Sequence, residues 1–438
     1  MGTLAELIWN PFLSLIYLEV GLLFLVLTGG VALRRGGWML RQIWQAKPEA
    51  SQGEELSHRH AFLSALAAVV GVGNVAGVGT AIHLGGPGAM FWLWVSALLG
   101  SSFRMTSTFM SLHAMSAGQD PRLFATPMSY LERYLPRAWR WVPMVLAGLL
   151  LCKGLVTANL VQANSLAHSI ARDTTVSHLV VAVILAALVA LVILGGLQSI
   201  VRFSAVIAPW MIGVYLAMGL FILLSQPGVT LEAFGLILHH AFQPYSLAGG
   251  VAGYSVMTAI QFGISRGVFS HGSGIGVAPF LQAANVDHPA RGALMAGVIP
   301  LIDSLVICSI TGLVVLSEGH WHEETGAFLS VGAYQSALGP MGRILVITAL
   351  AVFAFTTIIA WAHFAERCFT YLGGRRVRTF RWFFVGVTFA GPFFPVALVW
   401  SMGDVLIALL LLCHLLPLSY ILIRKLPEVR RILGEALP

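Results

Sequence analysis

Charge is what this sequence has least of. Only 10% of its 438 residues are Asp, Glu, Lys or Arg, against about 25% in soluble domains, so a soluble globular chain is excluded. Cysteine is scarce too: Cys152, Cys308, Cys368 and Cys413 lie in or at the ends of apolar runs, without paired spacing. That pattern implies neither a disulfide framework nor a metal motif; each cysteine reads as a small buried hydrophobe. Asn-x-Ser/Thr acceptors are missing. So are the nucleophile elbow, the P-loop, the zinc-binding helix and the haem-attachment spacing. Neither an enzyme nor a resident cofactor is expected, and nucleic acid is not an expected partner. The first apolar run has no basic flank before it and no small-residue cleavage site after it. It reads as an uncleaved span rather than a signal peptide.

What remains is apolar. Hydrophobic residues make up 58% of the chain and the mean hydropathy is +0.85, as in a multi-pass protein of the cell (inner or plasma) membrane, with the lipid bilayer as its solvent. Apolar runs occur near 11–33, 61–83, 88–115, 142–171, 178–198, 203–225, 249–276, 289–317, 341–371, 381–399 and 402–424. At about 20 residues per span they predict an all-α membrane protein of about eleven transmembrane helices. Arginine and lysine cluster at Arg34–Arg59, Arg122–Arg140, Arg367–Arg381 and Arg424–Arg431, while the intervening connections carry Glu318, Glu323, Glu324 and Asp404. By the positive-inside rule the N-terminus lies outside and the C-terminus in the cytoplasm. The 34–60 and 116–140 segments read as polar cytoplasmic connections. Leu231–Phe242 reads as an amphipathic interfacial segment with His239 and His240 exposed.

Two apolar stretches are broken by glycine. Val69–Thr80 contains Gly71, Gly73, Gly77 and Gly79 around Asn74; residues 263–276 contain Gly263, Gly267, Gly272, Gly274 and Gly276 around His271. Each glycine weakens a helix by roughly 1 kcal/mol relative to alanine, and in lipid a broken helix survives where its freed backbone groups line a cavity or meet a ligand. With the first helix set aside, the other ten pair at an offset of about two hundred residues, broken segment with broken segment. An odd five per half makes the halves antiparallel, the inverted repeat of many secondary transporters. The expected organisation is an extra helix and connection at 1–60, repeats at 61–225 and 226–425, and a cytoplasmic tail at 426–438.

In that setting the helix bearing Thr356 and Thr357 runs beside the first break. Two hydroxyls with the carbonyls of Ala67, Val70 and Phe353 would make an oxygen-only cage for a small hard cation, and Trp361, one turn on, could wall a small pocket. Arg104, Lys153, Arg266 and Asp303 are ionisable residues inside spans, which are functional candidates by default. Arg266–Asp303 is the expected ion pair, as a gate or a structural latch. Asn159 and Gln162, three apart, should share a helix face. His271 titrates near neutral pH and could couple protons.

The stretches Gly71–Trp94 (GVGNVAGVGTAIHLGGPGAMFWLW), Leu160–Ala167 (LVQANSLA), Ile193–Gln198 (ILGGLQ), Arg266–Pro279 (RGVFSHGSGIGVAP), Ile302–Cys308 (IDSLVIC) and Phe353–Arg367 (FAFTTIIAWAHFAER) strongly resemble the alanine or glycine:cation symporters. These are amino-acid carriers of the LeuT-like 5+5 inverted-repeat fold, and the resemblance covers about 60–420. It implies sodium-driven, sometimes proton-driven, symport of a small neutral amino acid by alternating access, in a protein functional as a monomer. It puts the solute against Gly71, Val72, Gly73, Asn74, Gly77, Gln162, Phe269, Ser270, His271, Gly272, Gly274 and Trp361, and sodium at Ala67, Val70, Phe353, Thr356 and Thr357. The chain departs from the family at Val72, usually threonine, and at His271 and Gly272, usually asparagine and glutamate. It departs also near Arg104, where an accompanying acid is absent, and at Met257, Thr258 and Gln261. The alternatives are a proton-coupled carrier of another small solute using His271, or a transport-inactive relative acting as a sensor.

Overall fold

Proline and glycine set many of the helix ends. A computed structural model describes residues 8–45, 58–115, 126–172, 174–244, 255–282, 289–319 and 321–436, and every regular element in them is helical. The chain opens with α1 (Pro11–Leu27), which begins on its proline behind an Asn10 cap, where a missing N–H costs nothing. After Gly29 and Gly30 it turns by 68° into α2 (Val31–Gln45). The segment expected as a polar connection is therefore partly a helix, because Ala32, Met39 and Ile43 form a buried stripe on it.

The first expected broken span is α3 (His58–Val69), a tight turn at Val72–Asn74 and α4 (Ala76–Gly85), with a 61° bend between the two arms. Then come α5 (Ala89–Met115), α6 (Pro127–Tyr134) and α7 (Val142–Leu155). A π-helical turn, Val156–Leu160, joins α7 to α8 (Val161–Ala171). Next are α9 (His178–Ile193), α10 (Leu197–Ser225) and α11 (Pro227–His240). Helix α11 folds back by 103° with Leu231, Phe234 and Leu238 exposed and Ala233 and Ile237 buried. His239 is exposed as expected, but His240 is half-buried, since its end of the helix is pressed against the start of α5 at Gly88.

The second half holds α12 (Val256–His271), α13 (Ala278–Gln282) and α14 (Pro289–Ile302). A second π-helical turn, Asp303–Cys308, leads into α15 (Ser309–Ser317). The chain ends with α16 (Gly326–Tyr371), two helical arms joined by a kink where Gly339 (φ 66°) precedes Pro340, then α17 (Val377–Ala390) and α18 (Val396–Ala436). Every one of the eleven apolar runs carries helix in its described part. Among the described residues four helices are long and apolar enough to cross a membrane, and up to seven if each bent pair is one span.

The second break lies later than expected. Helix α12 runs unbroken through Gly263 and Gly267 and ends at Gly272, whose φ of 64° is the left-handed cap glycine favours. Gly263 and Gly267 instead permit close helix crossing: a Cβ on Gly263 would sit 2.4 Å from the Ala89 carbonyl oxygen, and one on Gly267 2.0 Å from Ser96 Oγ. This is small-residue packing between membrane helices.

Candidate functional site

Both breaks meet at one place. A Cβ on Gly71 would lie 2.7 Å from Thr357 Oγ1 and 3.1 Å from Gln162 Oε1, and one on Gly73 3.1 Å from Ser270 Cα. Any larger residue would therefore push the first break off α16, α8 and α12. Gly71, Gly73, Gln162, Phe269, Ser270, His271, Gly272 and Trp361, with Thr357, line one cavity of about 30 Å³, joined by Lys153 and Thr157. That volume is room for one or two water molecules.

The other candidates lie around it. Val72 turns only its backbone toward the cavity wall, its N–H donating to Gln162 Oε1 at 3.0 Å. Asn74 points away, its Oδ1 accepting from the Gly71 N–H at 2.9 Å and its Nδ2 donating to Asp303 Oδ1 at 2.6 Å. Gly77 is buried in α4, and Gly274 packs on Leu411 and Leu415 of α18. The structure brings neither to the cavity.

The carboxylate of Asp303 joins the two breaks. One oxygen accepts from Asn74 in the first; the other accepts from Ser270 Oγ at 2.7 Å, at the end of α12, and from Ser304 Oγ at 3.1 Å. Asp303 is fully buried and opens a π-helical turn, a distortion frequent at functional sites. The expected Arg266–Asp303 pair is not formed. Arg266 Nη2 instead donates to Asp404 Oδ2 at 2.5 Å, while Ser270, one turn further along the same side of α12, is the residue level with Asp303 and donates to it. The Arg266 guanidinium also lies over the Trp400 and Phe269 rings, 5.4 and 5.8 Å from their centroids, and those rings stack at 4.7 Å. Phe269 thus separates the ion pair from the cavity.

Asn159 and Gln162 do not share a face. Asn159 Nδ2 donates to the Phe384 carbonyl, whereas Gln162 meets the first break. The π-helical turn between Val156 and Leu160 widens the helix and breaks the ordinary three-residue register.

His271 is buried, with both ring nitrogens engaged. Nδ1 accepts from the Ser273 N–H at 3.1 Å, so the proton assigned from the network sits on Nε2 and is donated to Ser96 Oγ, also at 3.1 Å. Its carbonyl accepts from Arg104 Nη1 at 2.7 Å.

For a cation, the geometry offers oxygens. The Thr357 hydroxyl donates to the Val70 carbonyl at 3.2 Å, and that of Thr356 to the Phe353 carbonyl of its own helix at 3.2 Å. Ala67 lies in the last turn of α3, where unpaired carbonyls and the helix dipole favour positive charge. Carbonyls and hydroxyls are ligands for a hard cation.

Residues 1–431 match the family described as the sodium:alanine symporter family. The chain is 34% identical to the sodium/alanine symporter AgcS of Methanococcus maripaludis, over 93% of this chain and 90% of that one. It is 31% identical to a Bacillus subtilis protein provisionally named sodium/proton-dependent alanine carrier protein YrbD, over 92% and 86%. It is 27% identical to another, provisionally named sodium/glutamine symporter GlnT, over 95% and 86%.

Proposed function

The chain belongs to the sodium:alanine symporter family, and from that premise we propose that it carries a small neutral amino acid with sodium by alternating access. Its family makes it a multi-pass membrane transporter of the amino-acid:cation symport class, not an enzyme. The observation that carries the finer reading is the meeting of the two breaks around one buried cavity, with Thr357 bridging to Val70 beside it. Phe269, Trp400 and the Arg266–Asp404 pair precede the α12 break on one side. Past the break, Phe280 of α13 stacks on Phe364, which packs on Trp361. Aromatic layers thus flank the cavity on both sides, as a carrier needs if its gates open in turn. The wider reading is an eleven-helix, LeuT-like arrangement of two inverted five-helix repeats (61–225 and 226–425) after one extra helix. It has its N-terminus outside and C-terminus in the cytoplasm, and works as a monomer.

Sodium bound at Ala67, Val70, Phe353, Thr356 and Thr357 stabilises the first break against α16, and the solute stabilises the same state. Each ligand therefore raises the affinity for the other. The test is uptake of labelled alanine and glycine into proteoliposomes under an imposed sodium gradient, then under a proton gradient. Sodium-driven uptake is the expected result; no uptake of either under both gradients overturns the reading. The double variant Thr356→Val/Thr357→Val should raise the half-saturating sodium concentration by about tenfold, the effect of roughly 1.4 kcal/mol of lost ion binding. Unchanged sodium activation would remove these hydroxyls from the site.

The hydrogen bonds of His271 argue against proton coupling through it. A ring held as the neutral Nε2–H tautomer must give up its Ser273 bond before Nδ1 can take a proton. His271→Gln should therefore leave the pH profile of uptake between about pH 5 and 8 within roughly twofold of wild type. Loss of a proton-driven component in that variant would establish the proton route instead.

A further inference from the structure

Helix α7 carries a lysine into the cavity wall. Gly154 lets α7 press on α16, where a Cβ would stand 2.9 Å from Ala365 Cβ. Its neighbour Lys153 therefore reaches over Trp361, with Nζ 4.1 Å from the ring centroid. The residue is buried and lines the cavity, and none of the described residues lining it is acidic. Among the described residues Lys153 forms no ion pair or hydrogen bond. The other cations nearby are committed: Arg266 to Asp404, and Arg104 to the Ala296 and His271 carbonyls.

An amino-acid solute brings a carboxylate, for which the usual cradle at a broken helix is its freed backbone N–H groups. Here two of those groups are taken. Gly71 N–H donates to Asn74 Oδ1 and Val72 N–H to Gln162 Oε1. His271 has no free nitrogen. The remaining charged donor on the wall is the Lys153 ammonium, and an unpaired charge at membrane depth calls for a partner.

We infer that Lys153 anchors a carboxylate of the transported amino acid and sets the selectivity of this cavity for acids over their uncharged analogues. The inference rests on the reading of the cavity as the solute site. The carboxylate could be the one on the α-carbon or one on the side chain, and alanine, aspartate and alaninamide as probes separate the two.

Wild-type protein, Lys153→Met and Lys153→Arg would be compared by uptake into proteoliposomes and by tryptophan fluorescence in detergent. Met matches the length of the lysine stem without its charge, and Arg keeps the charge if the Met variant does not fold. Wild type should bind alanine and reject alaninamide. Lys153→Met should raise half-saturating alanine by about tenfold or more and lose the discrimination between acid and amide, with maximal rate far less affected. Lys153→Arg should keep the discrimination. Unchanged alanine affinity in Lys153→Met, with alaninamide still rejected, overturns the inference. Binding of aspartate but not alanine, lost in Lys153→Met, supports it while overturning the neutral-solute reading. Binding of neither acid to wild type overturns both.

Discussion

Replacing Asp303 by alanine should reduce solute uptake by more than tenfold and leave a less stable protein. The carboxylate accepts three side-chain hydrogen bonds, from Asn74, Ser270 and Ser304, in a fully buried place. Alanine removes that carboxylate acceptor, at roughly 1–3 kcal/mol for each donor that finds no replacement. The Ser270 and Ser304 hydroxyls can turn to other acceptors, but the Asn74 amide, held by its bond from the Gly71 N–H, keeps only longer contacts, 3.3 Å to the carbonyl of residue 303 and 3.3 Å to Cys308 Sγ. Losing the short 2.6 Å bond to Asp303 therefore loosens the Asn74 side chain, then the tight turn at Val72–Asn74, then the Gly71 backbone against Thr357. The effect reaches the cavity without a direct contact. Asp303→Asn separates shape from charge: its oxygen can still accept from Asn74, and the Ser270 oxygen can accept from its amide. That variant should fold like wild type and keep a larger share of uptake than Asp303→Ala. Thermal unfolding and initial uptake rates of both variants are the measurements. Wild-type uptake in Asp303→Ala would mean that the two breaks do not need this bridge.

Much of this is legible in the sequence. Hydropathy alone located the helical runs, since about twenty apolar residues have few other fates in a bilayer. The first break was readable from Gly71, Gly73 and Asn74 because glycine density and an amide coincide there. The start of the second break is not legible because Gly263 and Gly267 look the same in sequence as Gly272, Gly274 and Gly276. The first two admit Ala89 and Ser96 of a neighbouring helix, and the latter three adopt positive φ. Only packing tells a crossing glycine from a turning one. Partner choice is hidden for a similar reason: Arg266 and Asp303 are both intramembrane charges, yet which acid the arginine meets depends on which acid packs level with it along α12, and Asp404 reads as a loop acid. The π-helical turns at Val156–Leu160 and Asp303–Cys308 leave no periodic trace, so the three-residue spacing of Asn159 and Gln162 wrongly implies a shared face.

The Arg266–Asp404 pair should behave as a gate rather than a latch, and a double variant distinguishes the two. Both side chains are largely buried, 5% and 13% exposed, so removing one partner strands the other. Asp404→Ala or Arg266→Ala alone should destabilise the closed state by about 3–5 kcal/mol and cut uptake by more than tenfold. Replacing both, as Arg266→Met/Asp404→Leu, removes the stranded charge. A buried ion pair spends most of its Coulomb attraction on desolvation, so an apolar pair of similar volume is often as stable or more so. If the pair is only a latch, the double variant should recover both thermal stability and uptake. A carrier, however, must reopen this layer in every cycle. Hydration of the separated guanidinium and carboxylate helps the open state, balancing the attraction that closes it. Methionine and leucine have no such compensation; exposing them to water costs roughly 25 cal/mol per Å², and the closed form becomes a trap. The expected result is therefore a split: stability restored to near wild type, with uptake still more than tenfold down. Recovery of uptake together with stability would make the pair a structural clamp and place the moving layer elsewhere, with Phe269 and Trp400 the next side chains to vary.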